Sequence, residues 1–260
     1  SLHLPVLRSI YNTLLSLLAY FRIFCCVLFL VIAVPFLHLE TMIFPNKEKI
    51  GFRYRKWFTS LYLFILNIKV KKSGEIAAHN ALIVCNHRMM IDPVIVLDYC
   101  PGYIVSKAEV ASYPILGHGA RNAGVIFVRR DQKESRNAIK EKIGELLSEG
   151  KNVVLFPEGT VNTDRLTARF SVGSFEEAAK YGRPVIPVAL DYKDTSVYWG
   201  ANISLIQHFL QVFRKPRLET RLVIGSPIKG NDGFELMESA KNFIDNQLEV
   251  IRRDWETSQI

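Results

Sequence analysis

The N-terminal apolar stretch narrows the folding options of this chain more than any other feature. Residues 10–39 are mostly apolar, and the 15 residues of 23–37 pass without a charge. That run is short of the roughly 18–20 apolar residues a bilayer-spanning helix needs. Extended back to residue 10 it is long enough to span, with Arg22 inside it as a costly charge. A secretory leader is the other reading, but Pro35-Phe36-Leu37-His38-Leu39-Glu40 offers no small-residue cleavage site. A second apolar stretch, 57–68, follows the basic cluster Arg53-Tyr54-Arg55-Lys56. The two stretches are expected to form helices joined by a Pro- and Lys-bearing loop around 45–49. They would lie in or on one leaflet, with the basic residues at the lipid headgroups. Packing of both helices on the core of a soluble protein is the alternative.

Beyond residue 68 the pattern changes. Short apolar runs predict strands at 68–71, 82–85, 103–106, 125–128, 153–156, 185–190 and 221–224. Amphipathic stretches predict helices at 93–99, 133–148, 173–181 and 234–253, with Gly150 and Gly182 as stops for two of them. The expected fold is α/β: a mostly buried mixed sheet flanked by helices, preceded by an N-terminal membrane-associated two-helix segment. The expected division is 1–68 for that segment and 69–260 for the α/β domain, with 191–213 the least legible part.

The formal net charge of +8 and pI near 9.3 favour an anionic partner. Because the N-terminal quarter is apolar and not rich in Lys or Arg, membrane lipids are the expected partner, and nucleic acid is not. The four cysteines, Cys25, Cys26, Cys85 and Cys100, lie in or near apolar runs without metal-like spacing. They read as buried reduced thiols, consistent with a catalytic face in the cytoplasm. No H-x-H or H-E-x-x-H motif suggests a metal, no Walker A sequence occurs, and Gly117-x-Gly119 lacks the third glycine of a dinucleotide fingerprint. His118, between those glycines, reads as a turn residue.

Chemistry concentrates at two strand ends. The first is Asn86-His87-Arg88-Met89-Met90-Ile91-Asp92-Pro93, after the apolar run 81–85. An imidazole and a carboxylate near each other can take a proton from a hydroxyl, the carboxylate fixing the tautomer. On a regular helix five residues advance about 500°, leaving His87 and Asp92 about 140° apart, so the chain must bend between them. Read alone, Asp92 also suits a helix N-cap before Pro93, with His87 a turn residue. The second site is Phe156-Pro157-Glu158-Gly159-Thr160, after 152–155. Ligands of open α/β sheets bind beyond the carboxyl ends of strands. Arg129 and Arg130 end a third run and suit a phosphate clamp, although neighbours on a strand face opposite ways.

The ordered set of Asn86-His87 with Asp92, Gly124 to Arg130, Phe156 to Thr160 and Val185-Ile186-Pro187-Val188 resembles the glycerolipid acyltransferase superfamily, whose best-known members are lysophosphatidic acid acyltransferases. Lys107 and Glu109, with Pro114 and Gly117, are similar to the segment between its first two blocks. The likeness covers roughly 65–230. It implies transfer of a fatty acyl group from a thioester, acyl-CoA or acyl carrier protein, to the hydroxyl of a lysolipid. The expected acceptor is 1-acylglycerol-3-phosphate and the expected product phosphatidic acid. His87 would be the general base and Asp92 its partner. Arg129, Arg130, Glu158, Gly159, Thr160 and Lys107 would bind substrate, without a metal or other cofactor. A backbone N–H near the Gly159 turn would face the developing oxyanion. Pro187 reads as structural. The expected location is a membrane, the inner membrane in a bacterium. Many such enzymes carry arginine directly after the Phe-Pro-Glu-Gly-Thr block, where this chain has Val161, with Arg165 and Arg169 as the nearby substitutes. Met89 and Met90 replace the small or hydroxylated residue often found in the first block. These departures leave a lyso-aminolipid, such as a lyso-ornithine lipid, or another lysophospholipid as alternative acceptors. A thioester hydrolase and a non-catalytic lipid-binding protein are the readings of other classes.

Overall fold

A computed structural model describes residues 3–107, 120, 122–128 and 133–258. In chain order the described elements are α1 (His3–Ile43), α2 (Lys47–Ile65), β1 (Ile68–Ser73), β2 (Leu82–Cys85), α3 (Asp92–Tyr99), β3 (Tyr103–Lys107), β4 (Val125–Val128), α4 (Lys133–Ser148), β5 (Val153–Leu155), α5 (Gly173–Lys180), β6 (Val185–Tyr192), a 3-10 turn (Thr195–Val197), α6 (Leu205–Phe213), β7 (Leu218–Ile224) and α7 (Gly233–Thr257).

The strands form one 7-stranded sheet in the order β1-β7-β6-β2-β5-β3-β4. Every pairing is parallel except β6 with β7, which is antiparallel. Parallel strands buried on both faces read as continuous apolar runs. Leu82-Ile83-Val84-Cys85 and Val185 to Tyr192 are accordingly buried at every position. Alternate side chains serve two apolar layers. Ile83, Cys85, Val154, Ile186 and Val188 pack with α2, α3 and α6. Leu82, Val84, Val153, Val185 and Ala189 pack with α4, α5 and α7. Pro187 is tolerated in a central strand because it sits where the ladder to β7 ends. Its carbonyl accepts from Gly225 N at 2.8 Å, and the β6–β7 register begins one residue later at Val188↔Ile224.

The two N-terminal helices differ. α1 runs 41 residues, about 60 Å, with Pro35 inside it, and stops just before Pro45. It is long and apolar enough to cross a membrane, and only 17% of its most apolar window is buried. Leu14, Phe21, Phe24 and Phe36 are all exposed. Arg22, however, is buried against protein: Nη1 donates to Phe213 O at 2.9 Å and Lys215 O at 2.6 Å, and Nη2 to Pro216 O at 3.3 Å. The charge serves the carbonyls at the C-terminal end of α6, where a cation is favoured.

α2 is sewn into the α/β layer. Arg55 Nη1 donates to Gly102 O at 2.7 Å and Ala123 O at 2.8 Å. Burial pulls its guanidinium down to about 10, so it stays charged at neutral pH. Thr59 donates to Asp98 Oδ1 at 2.7 Å, and Tyr62 and Leu63 enter the core.

Candidate active site

β2, β5, β6, β3 and β4 run parallel, so their carboxyl ends share one edge of the sheet. His87 follows β2 there and Phe156 follows β5. Strand β2 stops at Cys85, yet the Asn86 amide continues the pairing in place of backbone. Its Nδ2 donates to Leu190 O and its Oδ1 accepts from Leu190 N, both at 2.8 Å. The main chain is thereby released into a turn, closed by Asp92 N donating to Met89 O at 3.2 Å. This is the bend that an imidazole and a carboxylate five positions apart require.

His87 Nδ1 lies 2.7 Å from Asp92 Oδ2. Asp92 is the first residue of α3, but its carboxylate turns back onto the preceding loop instead of capping the helix. Oδ2 also accepts from Arg88 N at 2.5 Å and Met89 N at 2.8 Å, and Oδ1 accepts from Tyr192 Oη at 2.5 Å. Four donors hold a carboxylate that is fully buried, which is what a buried charge needs. Tyr192 remains a donor, because burial and the Asp92 charge push its phenol well above the ordinary range. With Nδ1 committed to Asp92, Nε2 is the ring nitrogen left for chemistry, and the His87 side chain keeps 19% exposure. The ring stacks on Phe156 at 4.4 Å and 25°.

The second block supports the first. Glu158 Oε1 accepts from His87 N at 2.9 Å and Oε2 from Ala168 N at 2.8 Å. Both carboxylate oxygens are therefore engaged by backbone. Gly159 adopts φ 72°, the left-handed region a glycine enters freely, and its N–H closes the turn on Phe156 O at 3.0 Å. Thr160 is exposed, and Asn162 N donates to His87 O at 2.8 Å, which ties the chain after the second block to the His87 backbone.

Arg88 is the main residue sequence reasoning passed over. It is 1% exposed. Its guanidinium donates to Asn162 O at 3.1 Å, to Arg165 O at 2.9 Å and to Asp164 O, locking the loop after the second block. Its face lies 5.1 Å from the Tyr198 ring, and its carbonyl accepts from Trp199 N at 3.0 Å. A cation between His87 and the apolar Met89-Met90-Ile91 was the available signal. Tyr192 gave none, since it meets Asp92 across 100 positions. Beneath Arg88, Asp191 is gripped by Arg252 Nε and Nη2 at 2.6 Å each and by the Tyr198 hydroxyl.

Arg129 and Arg130 lie outside the described residues, as do Glu109, Pro114, Gly117 and His118. Lys107 is the last residue of β3, paired with Val128, and its side chain is also outside them. Of the cations after Val161, Arg165 is tied to α7 through Glu249 at 2.9 Å and Glu256 at 3.0 Å. Arg169 is exposed. Cys85 is fully buried, and burial pushes its thiol well above the ordinary range, so it is no nucleophile despite its place beside the dyad.

Residues 67–191 match the family model described as Acyltransferase. The lyso-ornithine lipid O-acyltransferase of Pseudomonas aeruginosa is 29% identical over 199 residues, 74% of this chain and 77% of that protein. The 1-acyl-sn-glycerol-3-phosphate acyltransferase of Neisseria gonorrhoeae is 28% identical over 129 residues, 50% of this chain and 51% of that protein. The corresponding Borreliella burgdorferi enzyme is 34% identical over 134 residues, 50% and 54% of the two chains. The chain thus spans about half the length of these last two relatives. The crystal structure of the 1-acyl-sn-glycerophosphate (LPA) acyltransferase PlsC from Thermotoga maritima superimposes with a TM-score of 0.70 at 23% identity, covering 94% of this chain and 98% of that one, and so shares the fold. Residues 67–191, which carry the His87–Asp92 turn and the Phe156 to Thr160 block, are thus the part of the chain that is similar to the acyltransferase family.

Proposed function

We propose that this chain moves a fatty acyl group from a thioester, acyl-CoA or acyl carrier protein, to the hydroxyl of a lysolipid, with His87 as general base. The observation that carries the reading is the 2.7 Å contact between His87 Nδ1 and a fully buried Asp92, which leaves Nε2 free. A lipid hydroxyl is a weak nucleophile near neutral pH and needs its proton removed as it attacks. In the proposed step Nε2 takes that proton while the hydroxyl oxygen bonds to the thioester carbonyl carbon. The C–S bond then breaks, and the proton passes from His87 to the leaving thiolate. No acyl-enzyme forms. Because the Gly159 N–H is committed to its turn, the amide of the next residue, the exposed Thr160, is the candidate to face the oxyanion. Glu158 acts on substrate only indirectly in this scheme, by fixing the His87 backbone. Lys107, Arg129 and Arg130 are proposed to meet substrate phosphate from the strand ends of the same sheet edge.

The first acceptor is 1-acylglycerol-3-phosphate, giving phosphatidic acid. A lyso-ornithine lipid is the second reading, favoured by Val161 after the second block, by the engagement of Arg165 with α7, and by the 77% coverage of the Pseudomonas relative. The exposed apolar length of α1 supports residence on a membrane. With Arg22 held by α6, half-way along the helix, we place α1 in one leaflet, with the sheet edge facing the cytoplasm.

The test is a mass-spectrometric acyl-transfer assay on purified protein. Long-chain acyl-CoA and acyl carrier protein donors are paired with lysophosphatidic acid, other lysophospholipids and lyso-aminolipids, with His87→Ala as control. A diacyl product from lysophosphatidic acid that His87→Ala lowers by about 10²–10⁴-fold is expected, the usual contribution of general-base catalysis. Near-normal turnover by His87→Ala would sink the base assignment. Product from a lyso-aminolipid alone would move the protein to the second reading.

A further inference from the structure

A cleft of about 930 Å³ opens between the N-terminal third of α1 and the chain leaving α6. One wall is Tyr11 and Leu15 of α1; the other includes Gln211, Arg214, Lys215 and Arg217. The walls differ in chemistry. Along α1 the neighbouring Leu4, Leu7 and Leu14 are exposed, so a hydrocarbon chain leaving the cleft would run on apolar helix. The opposite wall carries three cations against one carboxylate, Asp194. Lys215 is paired with Asp194 at 2.6 Å and Arg217 with Glu219 at 3.4 Å. Arg214 is exposed and has no ion pair among the described residues. The carbonyls at the end of α6, which would repel an anion, are taken up by Arg22.

We propose that this cleft binds the phosphate headgroup of an anionic membrane phospholipid, with Arg214 and Arg217 as its ligands and α1 as the bed of its acyl chains. A cationic wall facing an apolar one fits an amphiphile better than a soluble phosphate. Neither His87 nor Asp92 lines the cleft, and its test needs no turnover.

The experiment is native mass spectrometry of the detergent-solubilised full chain with equimolar phosphatidylglycerol and phosphatidylcholine. The expected result is one phosphatidylglycerol retained with about thirtyfold preference, as two cations near an anionic headgroup imply. Arg214→Gln/Arg217→Gln removes the preference. Lys142→Gln/Lys180→Gln, which removes two exposed cations on α4 and α5, leaves it. Equal retention of the two lipids, an unchanged preference in the Arg214/Arg217 variant, or an equal loss in the control pair would overturn the proposal. So would displacement by inorganic phosphate or by coenzyme A, which would assign the cleft to a soluble phosphate.

Discussion

Tyr192→Phe removes one oxygen and leaves the ring, so the buried end of β6 stays packed while Asp92 Oδ1 loses the donor 2.5 Å away. A hydrogen bond to a charged group contributes about 1.5–3 kcal/mol net. The loss appears as stability, about 1.5–3 kcal/mol, or roughly 3–12 °C in Tm for a chain of this size. The same carboxylate holds the His87 ring, so a looser Asp92 also lowers kcat. The assay is Tm together with kcat, beside Tyr198→Phe, whose hydroxyl meets Asp191 and not Asp92. KM for the donor is expected to be unchanged. A wild-type Tm and kcat in Tyr192→Phe, or an equal fall in kcat in Tyr198→Phe, would refute the reasoning and leave Tyr192 a packing residue.

Other expectations rest on the same structure. Arg88→Met leaves the carbonyls of Asn162, Asp164 and Arg165 without their donor and should cost about 3 kcal/mol, read as a lower urea midpoint together with a slower kcat; a wild-type midpoint contradicts it. Arg22→Met should free α1 from α6, raising its amide exchange and protease sensitivity while the sheet keeps its protection; unchanged exchange in α1 counts against Arg22 as the tie. His208 is fully buried and stacked on Trp199 at 5.3 Å, and burial pulls its imidazole from 6.5 to about 4. Its folded value is the lower one, so its contribution is complete above the unfolded value and drains away as pH falls from about 6.5 towards 4, by at most about 3 kcal/mol. In His208→Phe, urea midpoints should be flatter across that window; an identical slope would show that other groups govern acid unfolding.

What could be read from the chain depended on how local each feature was. The strands at 82–85 and 125–128 and the helix Lys133–Ser148 match expectation because apolar runs and flanking turn residues lie within a dozen positions. β6 runs two residues past its expected end. Asp191, the first residue beyond that expected end, is buried and paired with Arg252 across 61 positions. α6 was not expected, although the reciprocal Ser204–Gln207 capping box was a local sign of its start. The helix pair was anticipated, but α2 joins the core through Arg55 and Thr59, contacts that composition does not reveal. At the site, the His87–Asp92 spacing was legible. The clasp of Glu158 on the His87 backbone, 71 positions away, was not.

Under the proposed reaction Asp92 answers to two selections, and His87 answers to one. The carboxylate that orients the imidazole is also the knot of its own loop, tied to Arg88 N, Met89 N and Tyr192. A lineage released from the need to turn over substrate would pay for losing Asp92 in folding, while His87 could drift at little cost. Descendants that have kept the shape and abandoned the reaction should therefore keep the aspartate and lose the histidine first. A change at Asp92 with His87 intact marks a chain in which the whole turn has been rebuilt.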